Sequence, residues 1–131
     1  MGLPYFIGLY AEALADCGKL DEARKTVEAA LDLGRANGTY FQLADILRIK
    51  ACIRERRGAA PEEVVHILNK AADIAVVQRS AIGGLRVATE LARRLRIKGH
   101  ASRARELMMP HVELINRLGD AADARAAREI L

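Results

Sequence analysis

The segment ACIRERRG (residues 51–58) begins with alanine and ends with glycine. The same two residues stand at the same separation in AEALADCG (11–18) and in ARRLRIKG (92–99), and the three glycines lie 40 and 41 residues apart. A fixed period in this range indicates a supersecondary unit that is repeated and that buries its apolar face against its neighbours. The sequence therefore predicts three successive copies of one structural unit.

Within each unit, apolar residues recur at spacings of three and four, which is typical of one face of an amphipathic α-helix. The first unit has two such stripes: Ile7, Tyr10, Ala11 and Leu14, and then Ala23, Val27, Ala30 and Leu31. The glycine between the stripes suits the left-handed backbone that caps a helix and reverses the chain. Each unit is therefore predicted to be a helical hairpin. Because a small side chain lets two helices cross closely, Ala11, Ala51 and Ala92 are the expected contact points.

The expected helix ends agree with this pattern. Pro4 and Pro61 suit the first turns of helices, and Asp120 with Asp123 resembles a capping box at the start of a last helix. We predict an all-α fold, an α-solenoid of three hairpins and a C-terminal capping helix, forming one domain over residues 1–131. The hairpins cover about 4–38, 40–78 and 80–118, and the capping helix covers 120–131. The seven helices span about 4–17, 20–36, 40–57, 61–78, 80–98, 101–118 and 120–130.

The composition supports close-packed helices. Alanine occurs 24 times and aromatic residues make up 4% of the chain. Strands favour aromatic and β-branched residues, so an all-β domain is excluded. With 29% charged residues and a mean hydropathy of +0.00, neither a disordered chain nor a membrane span is expected. Two cysteines inside helical patterns, and a first segment that lacks a signal peptide, predict a reduced, cytoplasmic setting.

Charge is distributed unevenly along the chain. The net charge is +4, but residues 1–47 carry 4 Lys/Arg against 7 Asp/Glu, whereas residues 48–131 carry 17 against 10. A basic field favours an acidic partner, although it is also compatible with solubility alone. One alternative function is nucleic-acid binding through the arginine-rich residues 86–105, where the turn at Gly99 could mimic a helix-turn-helix. It is the weaker reading, because the turn belongs to the repeat and aromatics for base stacking are missing there.

The alanine and glycine spacings resemble those of tetratricopeptide repeats, although each unit is about six residues longer than the usual 34. Two features depart from that family. The large aromatic residue expected early in the first helix is Ile7, Leu47 or Ala88 in the three units. Lys50 and Arg54 occupy positions that are normally apolar. The resemblance implies that the first helix of each pair lines a concave groove.

Three stretches are similar to the C-terminal helical array of large bacterial signalling proteins, in which predicted ATPases are fused to adenylate/guanylate cyclase or winged-helix DNA-binding domains. They are GLPYFIGLYAEA (2–13), DILRIKA (45–51), and a third that runs through LRVATELAR (85–93) and then ARELMMPHV (104–112). None of them is a catalytic motif. The resemblance implies a regulatory tail or a stand-alone relic of such a protein, with the ATPase and cyclase parts upstream of the array.

The sequence contains no complete catalytic motif. A phosphate-binding loop requires Gly, four residues, and then Gly-Lys-Ser/Thr, and the GK at residues 18–19 lacks both the first glycine and the hydroxyl. His66, His100 and His111 lack the spacing of a helical zinc site, and neither serine has a His–acid arrangement nearby. We therefore expect a non-enzymatic protein with no catalytic, cofactor-binding or metal-binding residues and no cofactor.

The remaining candidate surface is the concave wall, where several arginines are predicted to converge. Guanidinium groups bind carboxylates or phosphates through paired hydrogen bonds, so the expected partner is a protein or an acidic peptide. Equally open is a solvated face whose arginines pair with Glu55, Glu90 and other neighbours. The candidate partner-binding residues are Arg48, Arg56, Arg86, Arg93 and Arg96.

A second candidate surface is the N-terminal end of the array. All five aromatic residues lie within the first 41 positions: Tyr5, Phe6, Tyr10, Tyr40 and Phe41. An apolar end that no preceding repeat covers favours self-association. The sequence therefore predicts a homodimer through this end as a further possibility.

Overall fold

A computed structural model describes residues 2–38 and 42–131. These residues form eight α-helices and one short 3-10 helix and contain no β-strand, so the all-α prediction is confirmed. The helices are α1 (Leu3–Asp16), α2 (Leu20–Ala36), α3 (Leu43–Arg56), α4 (Pro61–Val77), α5 (Ala81–Ile97), α6 (Ala101–Met108), the 3-10 helix (Met109–His111), α7 (Val112–Leu118) and α8 (Ala122–Arg128).

Two of the seven predicted helices differ from the structure by more than two residues. The expected helix 101–118 is interrupted, because Pro110 cannot donate a backbone hydrogen bond and its ring clashes with the preceding turn. If α6, the 3-10 helix and α7 are counted as one interrupted segment, the number of helical segments is the predicted seven. The third helix, expected from residue 40, begins at Leu43. Tyr40 lies outside the described residues.

The helices pack in chain order. α1 packs against α2, α3 against α4, and α5 against α6, and each pair contacts the next through α2 with α3 and α4 with α5. In addition, α1 contacts α3, α3 contacts α5, and α5 contacts α8. The helices α1, α3, α5 and α8 therefore form a continuous wall. Each described helix is too short or too polar to cross a bilayer.

The small residues that define the sequence period lie in the core. Ala11, Ala51 and Ala92 each have 0% exposed surface. Corresponding positions in the second helices of the three hairpins are also buried: Ala23, Val64 and Ala104, and four residues later Val27, Leu68 and Met108. The burial of Ala11, Ala51 and Ala92 confirms the prediction that these positions face neighbouring helices.

The three periodic glycines end their helices as expected. Gly18, Gly58 and Gly99 have φ angles of 81°, 89° and 86°, a region that strongly favours glycine. At the first of these turns, the Gly18 N–H donates to the Ala15 carbonyl and the Lys19 N–H donates to the Leu14 carbonyl, both at 2.9 Å. This is the Schellman arrangement, and the other two turns repeat it.

Lys50 and Arg54 depart from the tetratricopeptide pattern, but α3 still packs with its apolar face toward the core. Lys50 Nζ lies 3.1 Å from Glu28 Oε1 on α2, and Arg54 Nη1 lies 2.6 Å from Glu63 Oε1 on α4. The apolar face of α3 remains in the core, where Ile49 is 1% exposed. The two cations therefore connect α3 to both of its neighbours at the edge of the core.

Candidate binding groove

The wall formed by α1, α3, α5 and α8 encloses two adjoining cavities of about 280 and 220 Å³. Both cavities are lined by Glu12, Arg48, Glu90 and Arg93. They therefore make one continuous surface, called here the groove. Its outer limits are marked by Asp123 on α8 at the larger cavity and by Arg56 on α3 at the smaller one.

Four of the five predicted arginines lie in the groove. Arg48, Arg86 and Arg93 line the larger cavity, and Arg56 lines the smaller one. Arg96 does not line either cavity, and its guanidinium donates to the backbone carbonyl of Glu129.

A buried carboxylate that the sequence pattern did not predict holds the groove together. Asp45 on α3 has no exposed surface. Its oxygens accept from Tyr5 Oη on α1 at 3.2 Å, from Arg48 Nε at 2.7 Å and from Arg86 Nη1 on α5 at 3.1 Å. A buried charge is tolerated only when it is paired and hydrogen-bonded. Asp45 is thus the point at which three helices of the wall are joined.

Arg86 extends this network to the last helix. Its Nε and Nη2 both lie 3.1 Å from Asp123 Oδ2 on α8, and Nε also donates to Oδ1 at 3.2 Å. Burial alone would lower the pKa of Arg86, but hydrogen bonds to Asp123 and Tyr5, together with the charge of Asp45, raise it. The capping-box prediction for Asp120 and Asp123 is wrong: α8 begins after Ala121 without a side-chain cap. Asp123 pairs with an arginine instead.

Arg48 makes the corresponding link to the first helix. It donates to Asp45 Oδ1 and, through Nη2, to Glu12 Oε2 on α1 at 3.0 Å. Burial would lower the pKa of Arg48, but the hydrogen bond to Asp45 and the charges of Asp45 and Glu12 outweigh it and raise the pKa. Arg48 therefore stays charged and fixed in place.

A second cluster lies further along α5. Glu90 accepts from Arg93 Nη1 and from Arg94 Nη1, both at 2.9 Å. Burial would raise the pKa of Glu90, but the hydrogen bond from Arg94 and the charges of Arg93 and Arg94 lower it below the ordinary value. Arg94 also donates to both oxygens of Glu55 on α3, at 2.9 and 2.7 Å. Arg94 is not among the predicted site residues, although arginine pairs with Glu55 and Glu90 were one of the two expectations.

The cysteine of the groove is not poised as a nucleophile. Cys52 Sγ lies 3.7 Å from Glu90 Oε2. Burial, followed by the negative charge of Glu90, raises the pKa of Cys52 to about 11. Because the thiolate is the reactive form, this thiol is unreactive at neutral pH.

The arginines differ in how accessible they are. The side chains of Arg48 and Arg86 are 12% and 28% exposed, whereas those of Arg56 and Arg93 are 48% and 44% exposed. Within the described part of the chain, each of the latter two has a single ion pair, Arg56 with Asp16 at 3.0 Å and Arg93 with Glu90. Arg48 and Arg86 thus maintain the shape of the groove, and Arg56 and Arg93 face its opening.

The groove does not carry an excess of positive charge. The larger cavity is lined by three arginines and four carboxylates, from Glu12, Asp45, Glu90 and Asp123. This pairing corresponds to the second of the two possibilities left open by the sequence, in which the arginines meet internal acidic residues. Among the described residues, no three His, Cys, Asp or Glu side chains converge as a metal site.

The predicted apolar end is exposed on α1. Leu3, Phe6 and Tyr10, which follow one another at helical spacing, are 58%, 66% and 60% exposed. They form a surface called here the α1 stripe. Of the other aromatics of this prediction, Tyr5 is half-buried and donates to Asp45 in the groove instead of belonging to the exposed end, and Tyr40 and Phe41 lie outside the described residues.

Comparisons with known proteins give one informative similarity. No family model matches the chain, and no solved structure matches it significantly. An uncharacterized protein of Rhizobium meliloti (strain 1021) is 32% identical over 94 residues. The match covers 72% of this chain and 8% of that protein, so the chain spans less than a tenth of the length of this relative.

Proposed function

We propose that the chain is a non-enzymatic protein-interaction module, built as an α-solenoid of three tetratricopeptide-like hairpins and a capping helix. The packing order supports the arrangement, because successive hairpins contact one another and their first helices form one wall. The buried alanines and the three equivalent glycine turns give each hairpin the same small contact residue and the same reversal of the chain. In helical arrays of this kind, an extended concave surface is the binding surface.

The observation that carries the proposal is the continuous groove with two half-exposed arginines at its opening. Arg56 pairs with Asp16, and an ion pair that is exposed on both sides is worth only about 0–1 kcal/mol. Arg93 pairs with Glu90, whose side chain is 15% exposed and is also bonded to Arg94. An incoming carboxylate can therefore replace the Arg56 pair at small cost and share Arg93 with Glu90, and a guanidinium can bind it through two hydrogen bonds. The expected occupant is a protein segment, with acidic side chains near these two residues.

We further propose that the module is the regulatory tail or a stand-alone relic of a bacterial signalling ATPase or cyclase that acts in the cytoplasm. The three stretches of sequence resemblance support this lineage. The similarity to one short part of a much longer protein is compatible with a segment that serves inside a large polypeptide.

The groove proposal is tested by selecting random peptides of about twelve residues on the immobilised protein and measuring their affinities. We expect selected peptides to lose at least tenfold in affinity for the Arg56→Ala/Arg93→Ala variant. The matched control is Arg103→Ala/Arg105→Ala, which removes the same charge from exposed positions on α6. Selected peptides that bind both variants as well as the parent would contradict the groove as the binding surface.

Nucleic-acid binding through residues 86–105 stays a prediction. Arg86, Arg93 and Arg94 of this region are engaged in ion pairs, whereas Arg103 and Arg105 are exposed on α6. Electrostatic binding to DNA falls steeply with salt. Titration of duplex DNA at two salt concentrations separates the functions, since a lack of binding near physiological salt eliminates nucleic-acid binding as the function.

A further inference from the structure

A second concave surface lies outside the groove, between the α4–α5 turn and the interrupted last hairpin. It is a cleft of about 380 Å³, called here the outer cleft. Its apolar lining includes Val76 on α4, Gly84 on α5, Pro110 in the 3-10 helix and Leu114 on α7. None of the described residues lines both this cleft and the groove. The two surfaces can therefore be tested separately.

The interruption at Pro110 accounts for the position of the cleft. The proline ends α6 early, so α7 follows after a 3-10 turn instead of continuing the helix. On the facing helix, residue 84 is glycine, and a Cβ there would lie 3.5 Å from His111 Cε1. The absence of a side chain at Gly84 keeps this side of the cleft open.

Arg79, at the edge of the cleft, has an unusual backbone conformation. Its φ angle is 54°, in the region that the other hairpin turns fill with glycine. The turn has the same hydrogen bonds as those turns, from the Arg79 N–H to the Val76 carbonyl and from the Ser80 N–H to the Ala75 carbonyl. A non-glycine residue in this region is strained. Strained residues tend to cluster at functional sites, and an observed outlier justifies a functional hypothesis.

The cationic groups of the outer cleft are unpaired, unlike those of the groove. Arg79 and Arg117 are both exposed, and neither side chain has an ion pair or hydrogen bond within residues 2–38 and 42–131. One acidic residue, Glu113, also lines the cleft. The cleft thus combines an apolar lining with two available guanidinium groups and a net positive charge.

We propose that the outer cleft is a docking site for an acidic amphipathic segment of a partner protein. An apolar side chain of the partner would pack against Val76 and Leu114, while adjacent carboxylates would pair with Arg79 and Arg117. The apolar lining favours a protein segment over nucleic acid, because no Phe, Tyr or Trp of residues 2–38 and 42–131 lines the cleft as a surface on which a base could stack. This surface goes beyond the groove proposed above and does not depend on it.

The test uses a fluorescein-labelled peptide of leucine and glutamate, about fourteen residues long, with leucine at spacings of three and four. Fluorescence anisotropy is measured at about 150 mM salt, where long-range charge effects are screened. We expect the Arg79→Gly/Arg117→Ala variant to bind at least tenfold more weakly than the parent. Because glycine suits the turn, this variant is expected to be no less stable, so lost binding would not reflect unfolding.

Control variants and control ligands show whether the peptide occupies the outer cleft. The groove variant Arg56→Ala/Arg93→Ala is expected to bind the peptide like the parent. If the groove variant loses binding instead, the peptide occupies the groove, which supports the proposed function and overturns this inference. Unchanged affinity in the cleft variant would also overturn the inference. The same conclusion would follow if a peptide with lysine in place of glutamate bound equally well, or if the cleft bound duplex DNA preferentially. A dimer of the chain that occupies the cleft would overturn it as well.

Discussion

At the scale of single residues, the wall formed by α1, α3, α5 and α8 depends on the fully buried carboxylate of Asp45. Asp45 accepts hydrogen bonds from Tyr5, Arg48 and Arg86, which belong to three different helices. Removing one partner from a buried ionic network leaves the other charges uncompensated, which costs far more than the loss of an exposed pair. The residue is therefore a positioning element of the groove.

We expect Asp45→Asn to lower the free energy of unfolding by about 3 kcal/mol, because Arg48 and Arg86 would lose the charge that compensates them. Urea denaturation followed by circular dichroism measures the change. The matched control is Asp16→Asn, whose pair with Arg56 is more than 40% exposed on both sides and is worth less than about 1 kcal/mol. Equal effects of the two substitutions would show that Asp45 does not hold the wall.

Glu90 makes the free energy of unfolding depend on pH in the acidic range. Its folded-state pKa is lowered, because hydrogen bonding by Arg94 and the charges of Arg93 and Arg94 outweigh burial. A depressed carboxyl pKa contributes stability above the unfolded-state pKa, near 4.5, and this contribution is lost as the pH falls through the folded-state value. We measure the urea concentration at the midpoint of unfolding at a series of pH values. As the pH decreases below about 4.5, this midpoint should fall less steeply in the Glu90→Gln variant than in the parent protein. Parallel curves would contradict this role.

The acidic partners of Arg86 were not predicted, although one of them carried a signal in the sequence. Asp45 stands 40 residues from Tyr5 and 41 from Arg86, which is the repeat period, so these three side chains occupy equivalent positions in successive hairpins. The spacing of Asp123 from Asp120 fits a local capping motif, and this coincidence hides its pairing with a distant arginine. The arginines were predictable because a repeat places equivalent positions on the same face. The same reasoning predicts that Asp45 lies beside Tyr5 and Arg86, whereas Asp123 lies outside the three hairpins.

At the scale of helices and turns, most of the structure was predictable. Helical periodicity located the elements, and the small residues located the contacts between them. The break at Pro110 was missed although its signal was present, because proline inside a helical pattern usually ends the helix. Arg79 was not recognised as a left-handed cap, since an arginine there contradicts the usual preference for glycine.

The periodic alanines define the separation of the helices. We expect Ala51→Leu to lower the free energy of unfolding by about 1–3 kcal/mol, because the larger side chain does not fit where α3 packs at 0% exposure. Ala29→Leu on the exposed side of α2 is the control, with an expected effect within about 0.5 kcal/mol. Thermal and urea unfolding measure both. A neutral Ala51→Leu would mean that alanine does not set the helix spacing.

At the turn between α4 and α5, a substitution is expected to increase the stability of the fold instead of decreasing it. Arg79→Gly should raise the free energy of unfolding by about 1 kcal/mol, because glycine adopts a φ of 54° without the steric cost that arginine bears. The reverse experiment is Gly58→Ala, at a turn with φ 89°, which should lower stability by at least a similar amount. A loss of stability in Arg79→Gly would indicate that its side chain stabilises the fold.

At the scale of the whole molecule, charge and apolar surface are segregated. The basic excess lies in residues 48–131, whereas the α1 stripe lies at the other end of the array. The stripe contains three large side chains that are each about 60% exposed, so one copy offers roughly 300 Å² of apolar surface. A standard interface buries about 800 Å² on each partner. Self-association through the stripe alone is therefore expected to be weak.

We propose that the homodimer predicted from the sequence forms through the α1 stripe and only at high concentration. Sedimentation velocity should show the average mass rising between about 10 μM and 1 mM, a range that corresponds to weak binding. Phe6→Ser should abolish the rise, because it removes the most exposed member of the stripe, at 66%. Val77→Ser, at an 82% exposed position on α4, removes apolar surface elsewhere and should leave the rise unchanged. A monomer at every concentration, or equal effects of the two substitutions, would show that the stripe does not bind a second copy.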